Sequence, residues 1–211
     1  ATGSRPCGAL RRKDRGRDRP GHRVVGREPL SRPAVDLDPG PDTLFYTAGP
    51  YSHNGYIMKL DQSGNLYWVD CLVGSSNNYI NSIVSDNNNN VFATGNFYGT
   101  ADFDPGNDTL KLTADLSDIF VWKLDASGNL GWIKRLEGPG NATEGWGITT
   151  DEAGNLYSTG RFSNLMDFDP NEGEFELYSI GGYYADSYIH SRDANGNLNW
   201  VFQVGAEYND W

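Results

Sequence analysis

Sulfur and histidine are scarce in this chain of 211 residues, which has 2 Cys, 2 Met and 3 His. Two cysteines exclude a disulfide framework and a Cys-rich zinc site. Cys7 and Cys71 admit one bridge at most, and a lone buried Cys71 is the preferred reading over a Cys7–Cys71 disulfide. His22, His53 and His190 share no metal-ligand spacing with each other or with cysteine. Nucleophile elbows, P-loops and His-Glu-x-x-His pairs are missing, which removes the motifs that would announce a chemistry. No apolar run reaches the length of a membrane-spanning helix, and the N-terminus lacks the apolar core of a signal peptide. Nor does any stretch sustain a helical period.

What is abundant points to strands. The chain has 26 Gly, 12 Tyr, 9 Phe and 6 Trp, with a mean hydropathy of -0.59. Aromatic and β-branched residues suit a pleated, half-buried surface. Charge divides the chain in two. Residues 1–33 hold 10 Lys/Arg against 3 acidic residues, and the remainder holds 7 basic against 25 acidic.

The body repeats itself. An acidic phrase recurs as "DLDPGPDT" (36–43), "DFDPGNDT" (102–109) and "DFDPNEGE" (167–174). "DQSGNLYW" (61–68), "DASGNLGW" (125–132) and "DANGNLNW" (193–200) recur in step, and "SDNNNNVFATGNF" (85–97) answers "TDEAGNLYSTGRF" (150–162). The order is kept and the period is about 65 residues. Each unit reads as four short strands, with Asp-x-x-Gly-Asn turns in which Asp caps the loop and Gly supplies a positive φ. Leu198, Trp200, Phe202 and Val204 alternate with Asn199, Val201 and Gln203, the period of a strand with one preferred face.

Four antiparallel strands per unit, repeated with glycine-rich turns, predict an all-β fold of propeller-like blades. One blade cannot bury its faces alone, so Trp68, Trp132 and Trp200 are expected to pack between blades. The expected divisions are a basic segment (1–33), a partial blade (34–80) and two full blades (81–145 and 146–211). Two units and part of a third imply an incomplete propeller, a piece of a larger protein.

The phrases "DASGNLGW", "DEAGNLYSTGRF" and "DIFVWKLDASGN" (118–129) resemble the bacterial β-propeller repeat family often called SBBP. Its unit runs Asp-x-x-Gly-Asn-[Val/Leu]-Tyr-x-Thr-Gly, then Asp-x-Phe-Val-x-Lys-Leu-Asp and Gly-Asn-x-x-Trp strands. The likeness covers residues 34–211. It implies a secreted or surface-attached protein, usually long and multi-domain, without assigned catalytic residues. The third unit departs, with Ser191-Arg192-Asp193 in place of Lys-Leu-Asp.

The basic segment stands where the first half of a unit belongs. One set of codons for Val24–Ser31, read one base later, yields Ser-Ser-Gly-Gly-Asn-Leu-Tyr, the missing turn and strand. Residues 1 to about 33 therefore read as a frameshifted blade segment. The alternative is an Arg-rich tail that binds nucleic acid or acidic surfaces.

Three sets of residues are candidates for a site. Asp102, Asp104 and Asp108, matched by Asp36, Asp38 and Asp42 and by Asp167 and Asp169, have oxygens that a calcium loop could use, with Gly106 free to bend. The competing reading is a Pro-Gly turn whose aspartates accept backbone N–H bonds. Leu37, Phe103 and Phe168, between the paired aspartates, are expected to anchor the loop to its blade. Tyr183 and Tyr184, in a glycine-flanked loop, are candidates for stacking on carbohydrate or for covering a blade edge. A catalytic carboxylate pair across a propeller mouth stays open but has no motif behind it.

The reading is a non-catalytic repeat module of a secreted or cell-surface protein, acting in binding or as a spacer, with calcium the one cofactor in view. Its expected partners are neighbouring blades of the parent chain and a surface polysaccharide or protein, with neither nucleic acid nor a membrane span. The rival readings are part of a secreted enzyme whose catalytic residues lie elsewhere, and a calcium-stabilised structural module.

Overall fold

The computed structural model describes residues 10–11, 23–25, 35–46, 53–104, 106, 108–140, 143–170 and 175–207. The Asp-x-x-Gly-Asn turns are its recurring local unit. In the turn at 125–129, Asp125 Oδ1 accepts the N–H groups of Ser127 (2.8 Å) and Asn129 (2.9 Å), and Oδ2 accepts the Asn129 amide at 2.7 Å. Gly128 closes the loop with a φ of 82°, where a side chain would be strained. The turns at 61–65 and 193–197 repeat these bonds. At 86–90 the left-handed position is taken by Asn89, the residue after glycine that best tolerates it.

These turns fold the repeats into sheets. The first blade contains β1 (Leu10–Arg11), β2 (Arg23–Val25), the short pair β3 (Val35–Asp36) and β4 (Phe45–Tyr46), then β5 (Tyr56–Leu60) and β6 (Leu66–Cys71). After β7 (Val73–Gly74), the second blade has β8 (Asn78–Ser85), β9 (Val91–Phe97), β10 (Thr100–Asp102), β11 (Lys111–Thr113), β12 (Asp118–Leu124) and β13 (Leu130–Leu136). The third has β14 (Glu144–Thr150), β15 (Leu156–Ser163), β16 (Leu165–Asp167), β17 (Glu176–Tyr178), β18 (Ala185–Arg192) and β19 (Leu198–Val204). Sheets β8-β9-β12-β13 and β14-β15-β18-β19 are antiparallel four-stranded blades. The described residues are all-β, as the repeat predicts.

The expected boundaries at 81 and 146 fall inside strands, because β8 starts at Asn78 and β14 at Glu144. The acidic phrase sits between second and third strands as expected, but it is an antiparallel ribbon rather than a plain loop. β3 pairs with β4, β10 with β11 and β16 with β17. Leu37, Phe103 and Phe168 are buried beneath these ribbons, as their place between paired aspartates predicts.

Two short strands of the basic segment are described. β2 lies beside β5 in the slot that β9 fills in the second blade, and β1 adds to the outer edge of β6. Among the described residues β2 has 3, where β9 has 7 and β15 has 8. The remaining residues of the frameshift reading, 26–31, lie outside the described set, as does Cys7. Cys71 is not the lone thiol expected but is disulfide-bonded.

Apolar residues are sorted by junction. Ile57, Trp68 and Leu72 of the first blade pack with Phe97, Phe103, Phe120 and Trp122 of the second. Phe92, Val121 and Leu136 of the second pack with Leu156, Phe162, Phe168 and Tyr188 of the third. The core is thus a set of inter-blade layers, as stacked repeats require.

Candidate functional site

The polar chemistry of the chain concentrates where blades meet. At the first junction the Trp68 indole N–H donates to the Ala126 carbonyl (3.2 Å), and Lys59 Nζ donates to the same oxygen at 2.7 Å. At the second, Trp132 donates to Ala194 O (3.2 Å) and Lys123 Nζ joins it at 2.9 Å. In each case the acceptor is the residue after the aspartate of the next blade's turn. The turn glycine is seated on the indole. A β-carbon at Gly128 would lie 3.1 Å from the Trp68 ring, and one at Gly196 would lie 3.1 Å from the Trp132 ring. Lys59 is fully buried, with its ammonium 5.6 Å from the Tyr67 ring centre, so carbonyls and an aromatic face replace its water.

Backbone pairing reinforces the junctions. β7 adds to β10, pairing Val73 with Asp102. Glu137, just past β13, exchanges both backbone bonds with Asp167 at 3.0 and 2.7 Å. The tryptophans expected between blades are therefore there at Trp68 and Trp132. The lysine partner was not anticipated, although the shared "KLD" of 59–61 and 123–125 carries it.

The acidic ribbons direct their carboxylates inward. Asp102 Oδ1 accepts from Asp104 N (3.1 Å) and Leu110 N (3.0 Å), and Asp104 Oδ1 accepts from Gly106 N at 2.8 Å. Asp36 and Asp38 repeat this with Asp38, Leu44 and Gly40. Asp167 accepts from Asp169 N and Phe175 N. Asp42 and Asp108 are exposed beyond the bends, and Glu172 and Glu174 lie outside the described residues. Among the described residues, no three His, Cys, Asp or Glu side chains gather as ligands of one ion.

The third copy replaces a leucine with a charge. Arg192 occupies the place of Leu60 and Leu124, and its guanidinium is fully buried. It donates to Gly196 O at 2.8 Å and to Phe168 O, and pairs with Asp169 at 3.2 Å. One side chain thereby ties ribbon, third strand and turn together. Two strand positions earlier, His190 Nε2 lies 3.0 Å from Ser158 Oγ. A serine and histidine in contact suggest a nucleophile and its base, but both are buried under Phe168 and Tyr188. Burial, with Arg192 adding to it, pushes the His190 imidazole down to about 3, so it stays neutral.

Asp118 opens the third strand of the second blade and is buried. Burial raises its carboxyl to about 6, against the opposing pull of Arg135 and a bond from Gly138 N. Its counterparts are Asn54 and Asp186, each two residues before an aromatic of the third strand.

On the outside, Tyr183 is 92% exposed at a loop tip and Tyr184 is also exposed. Tyr178 and Ile180, which the sequence reading did not single out, are exposed in the same segment. Gln203 of β19 holds this segment by donating to Tyr178 O at 2.7 Å.

The comparisons with known proteins agree with this geometry. Residues 131–161 match the family model described as SBBP, a beta-propeller repeat. The match begins in β13, crosses the second junction and ends in β15. The chain is also 25% identical over 162 residues to an uncharacterized WD repeat-containing protein of Acanthamoeba polyphaga mimivirus. That alignment covers 71% of this chain and 12% of the relative, so the chain spans only a small part of the relative's length. Residues 131–161 thus carry a match to the SBBP β-propeller repeat, within an all-β architecture of four-stranded blades.

Proposed function

We propose that the chain is a non-catalytic β-propeller repeat module of a secreted or cell-surface protein. Its role is to bind a surface polymer or protein, or to space the domains beside it. One observation carries the reading: the polar groups that catalysis would use are committed to holding backbone within and between blades. Lys59, Lys123, Arg192 and the paired aspartates all hold backbone groups, and the Ser158–His190 pair is sealed in the core. What faces outward is an aromatic and aliphatic loop, with Tyr183 at its tip, suited to stacking on a sugar ring. The disulfide at Cys71 fits an oxidising compartment.

Electrophoresis through gels containing soluble polysaccharides tests the binding role. Retardation that disappears in Tyr183→Ala supports it. Release of new reducing ends by the purified chain would sink the non-catalytic reading and favour the enzyme alternative.

A further inference from the structure

The sequence contains two Asn-Gly pairs, Asn54-Gly55 and Asn195-Gly196. Such a pair is the most labile setting for an asparagine, because the glycine nitrogen reaches the side-chain carbonyl with no side chain of its own in the way. The fold treats the two differently. Asn54 is buried, its amide donates to Tyr46 Oη at 2.7 Å, and its oxygen accepts from Asn78 Nδ2 at 3.2 Å. Asn195 lies in the 193–197 turn. Its backbone N–H donates to Asp193 Oδ1 at 2.8 Å, but its side-chain amide meets no partner among the described residues. Ser127 holds the same place in the turn of the second blade, with the third blade beside it, and its hydroxyl likewise has no described partner. The freedom of this side chain thus belongs to the turn itself. Two lysines border the Gly196 amide. Lys123 Nζ donates to Ala194 O at 2.9 Å, and Lys134 Cε would lie 3.0 Å from a β-carbon on Gly196. Positive charge there favours loss of the Gly196 N–H proton.

From this geometry we propose that Asn195 is a site of spontaneous deamidation, and that its conversion loosens the joint between the second and third blades. The Gly196 N–H is bonded to Asp193 O at 3.0 Å, so the reaction starts from the opened turn. The Gly196 nitrogen then attacks Asn195 Cγ. A new N–Cγ bond closes a cyclic imide, the Cγ–Nδ2 bond breaks, and the nitrogen's proton leaves with Nδ2 as ammonia. Water then opens the ring at either carbonyl. Cleavage of the new N–Cγ bond gives aspartate. Cleavage of the original peptide bond gives isoaspartate, whose main chain runs through Cγ and is longer by a carbon. Nothing is oxidised or reduced, and water is consumed as ammonia is released. The turn has no room for the extra carbon. Gly196 is buried on the Trp132 indole, and its carbonyl accepts from Arg192 Nη1 at 2.8 Å. Ala194, the residue before Asn195, supplies the oxygen that Trp132 and Lys123 share.

Peptide mapping by mass spectrometry of the whole chain, aged in neutral and in mildly alkaline buffer, tests this. The Asn195 peptide should gain the mass of an amide turned into an acid and separate into two products. It should do so about tenfold or more faster than the Asn54 peptide, since an outer turn opens more readily than a buried site. The rate should rise with pH, because the attacking nitrogen must lose its proton. Aged chain should melt about 2–4 °C or more below fresh chain. Asn195→Ser, which copies Ser63 and Ser127, should keep its melting temperature with age. Equal conversion at Asn54 and Asn195 overturns the modification, and so does an Asn195 that stays intact in the folded chain while the urea-unfolded chain reacts there. Conversion that leaves the melt unchanged overturns the loosening of the joint.

Discussion

Arg192 Nη1 lies 3.2 Å from Asp169 Oδ1 at a position where the other two blades carry leucine. The pair converts an apolar contact into an ionic one within the same backbone frame. Removing one member of a buried pair is costly, whereas an apolar residue of similar volume is often tolerated. Arg192→Ala should therefore destabilise the chain by about 3 kcal/mol or more. Arg192→Leu, which copies the other blades, should cost about 1 kcal/mol or less, since Asp169 is near enough to the surface to regain water. Chemical denaturation of both variants checks the order, and equal losses would refute it.

The junction turns make a second comparison possible. Gly128 and Gly64 share nearly the same backbone, with φ of 82° and 84°. Only Gly128 lies against a tryptophan and against Asp70 Oδ2, which a β-carbon would approach to 2.8 Å. Gly64→Ala should cost about 1 kcal/mol, from the strained φ alone. Gly128→Ala should cost about 2 kcal/mol more, because the collision opens the junction. Thermal melts of the two variants read the difference directly.

Two buried groups give stability opposite pH dependences. Asp118 has its folded pKa raised from 3.8 to about 6, so its contribution is full below about 4 and is lost as pH rises through 6. His190 has its folded pKa lowered from 6.5 to about 3, so its contribution is present above 6.5 and decays as pH falls toward 3. Asp118→Asn, which copies Asn54, removes the first effect alone. Its melting temperature relative to the parent should be higher at pH 8 than at pH 4. A constant offset across that range would contradict the assignment.

The architecture was largely legible in the sequence because glycine turns and period-two alternation are local signals. Trp68 and Trp132 could be placed between blades from the repeat alone, and so could the anchors Leu37, Phe103 and Phe168. Other features depend on partners far away in the chain. Lys59 meets Ala126 across a junction, and no local pattern marks a lysine for burial. Arg192 was seen only as a departure from the repeat. Its meaning needed Asp169 and Phe168 beside it. The Cys71 disulfide was misjudged because two cysteines far apart in sequence give no spacing signal.

The acidic ribbons yield a prediction about calcium. Asp102 Oδ1 already accepts two backbone N–H groups, so the carboxylate is spent on the bend. Asp102→Ala should destabilise the chain by about 1–2 kcal/mol, with or without metal. The melting temperature of the parent chain should be the same in calcium and in chelator. A rise in calcium that Asp102→Ala abolishes would instead establish a folded-state site.

The short β2 bears on the basic segment. β2 pairs with β5 where β9 pairs with β12, and its Val24 and Val25 open the stretch whose shifted frame would restore the turn. Sequencing the gene should find GTC GTC GGG CGG GAA CCT TTA followed by a TCN codon for Val24–Ser31. Any other set of codons that does not restore the turn in the shifted frame refutes the frameshift.

The tryptophan-and-turn junction has a consequence for ancestry. Each unit supplies a face to the neighbour after it and a turn to the neighbour before it, so a duplicated unit arrives with both halves of its own joint. Unequal crossing-over in step with the period would lengthen or shorten such a gene without breaking a junction. No single unit records how many others there are. Blade number in such genes is thus free to drift while each junction keeps its tryptophan and its turn.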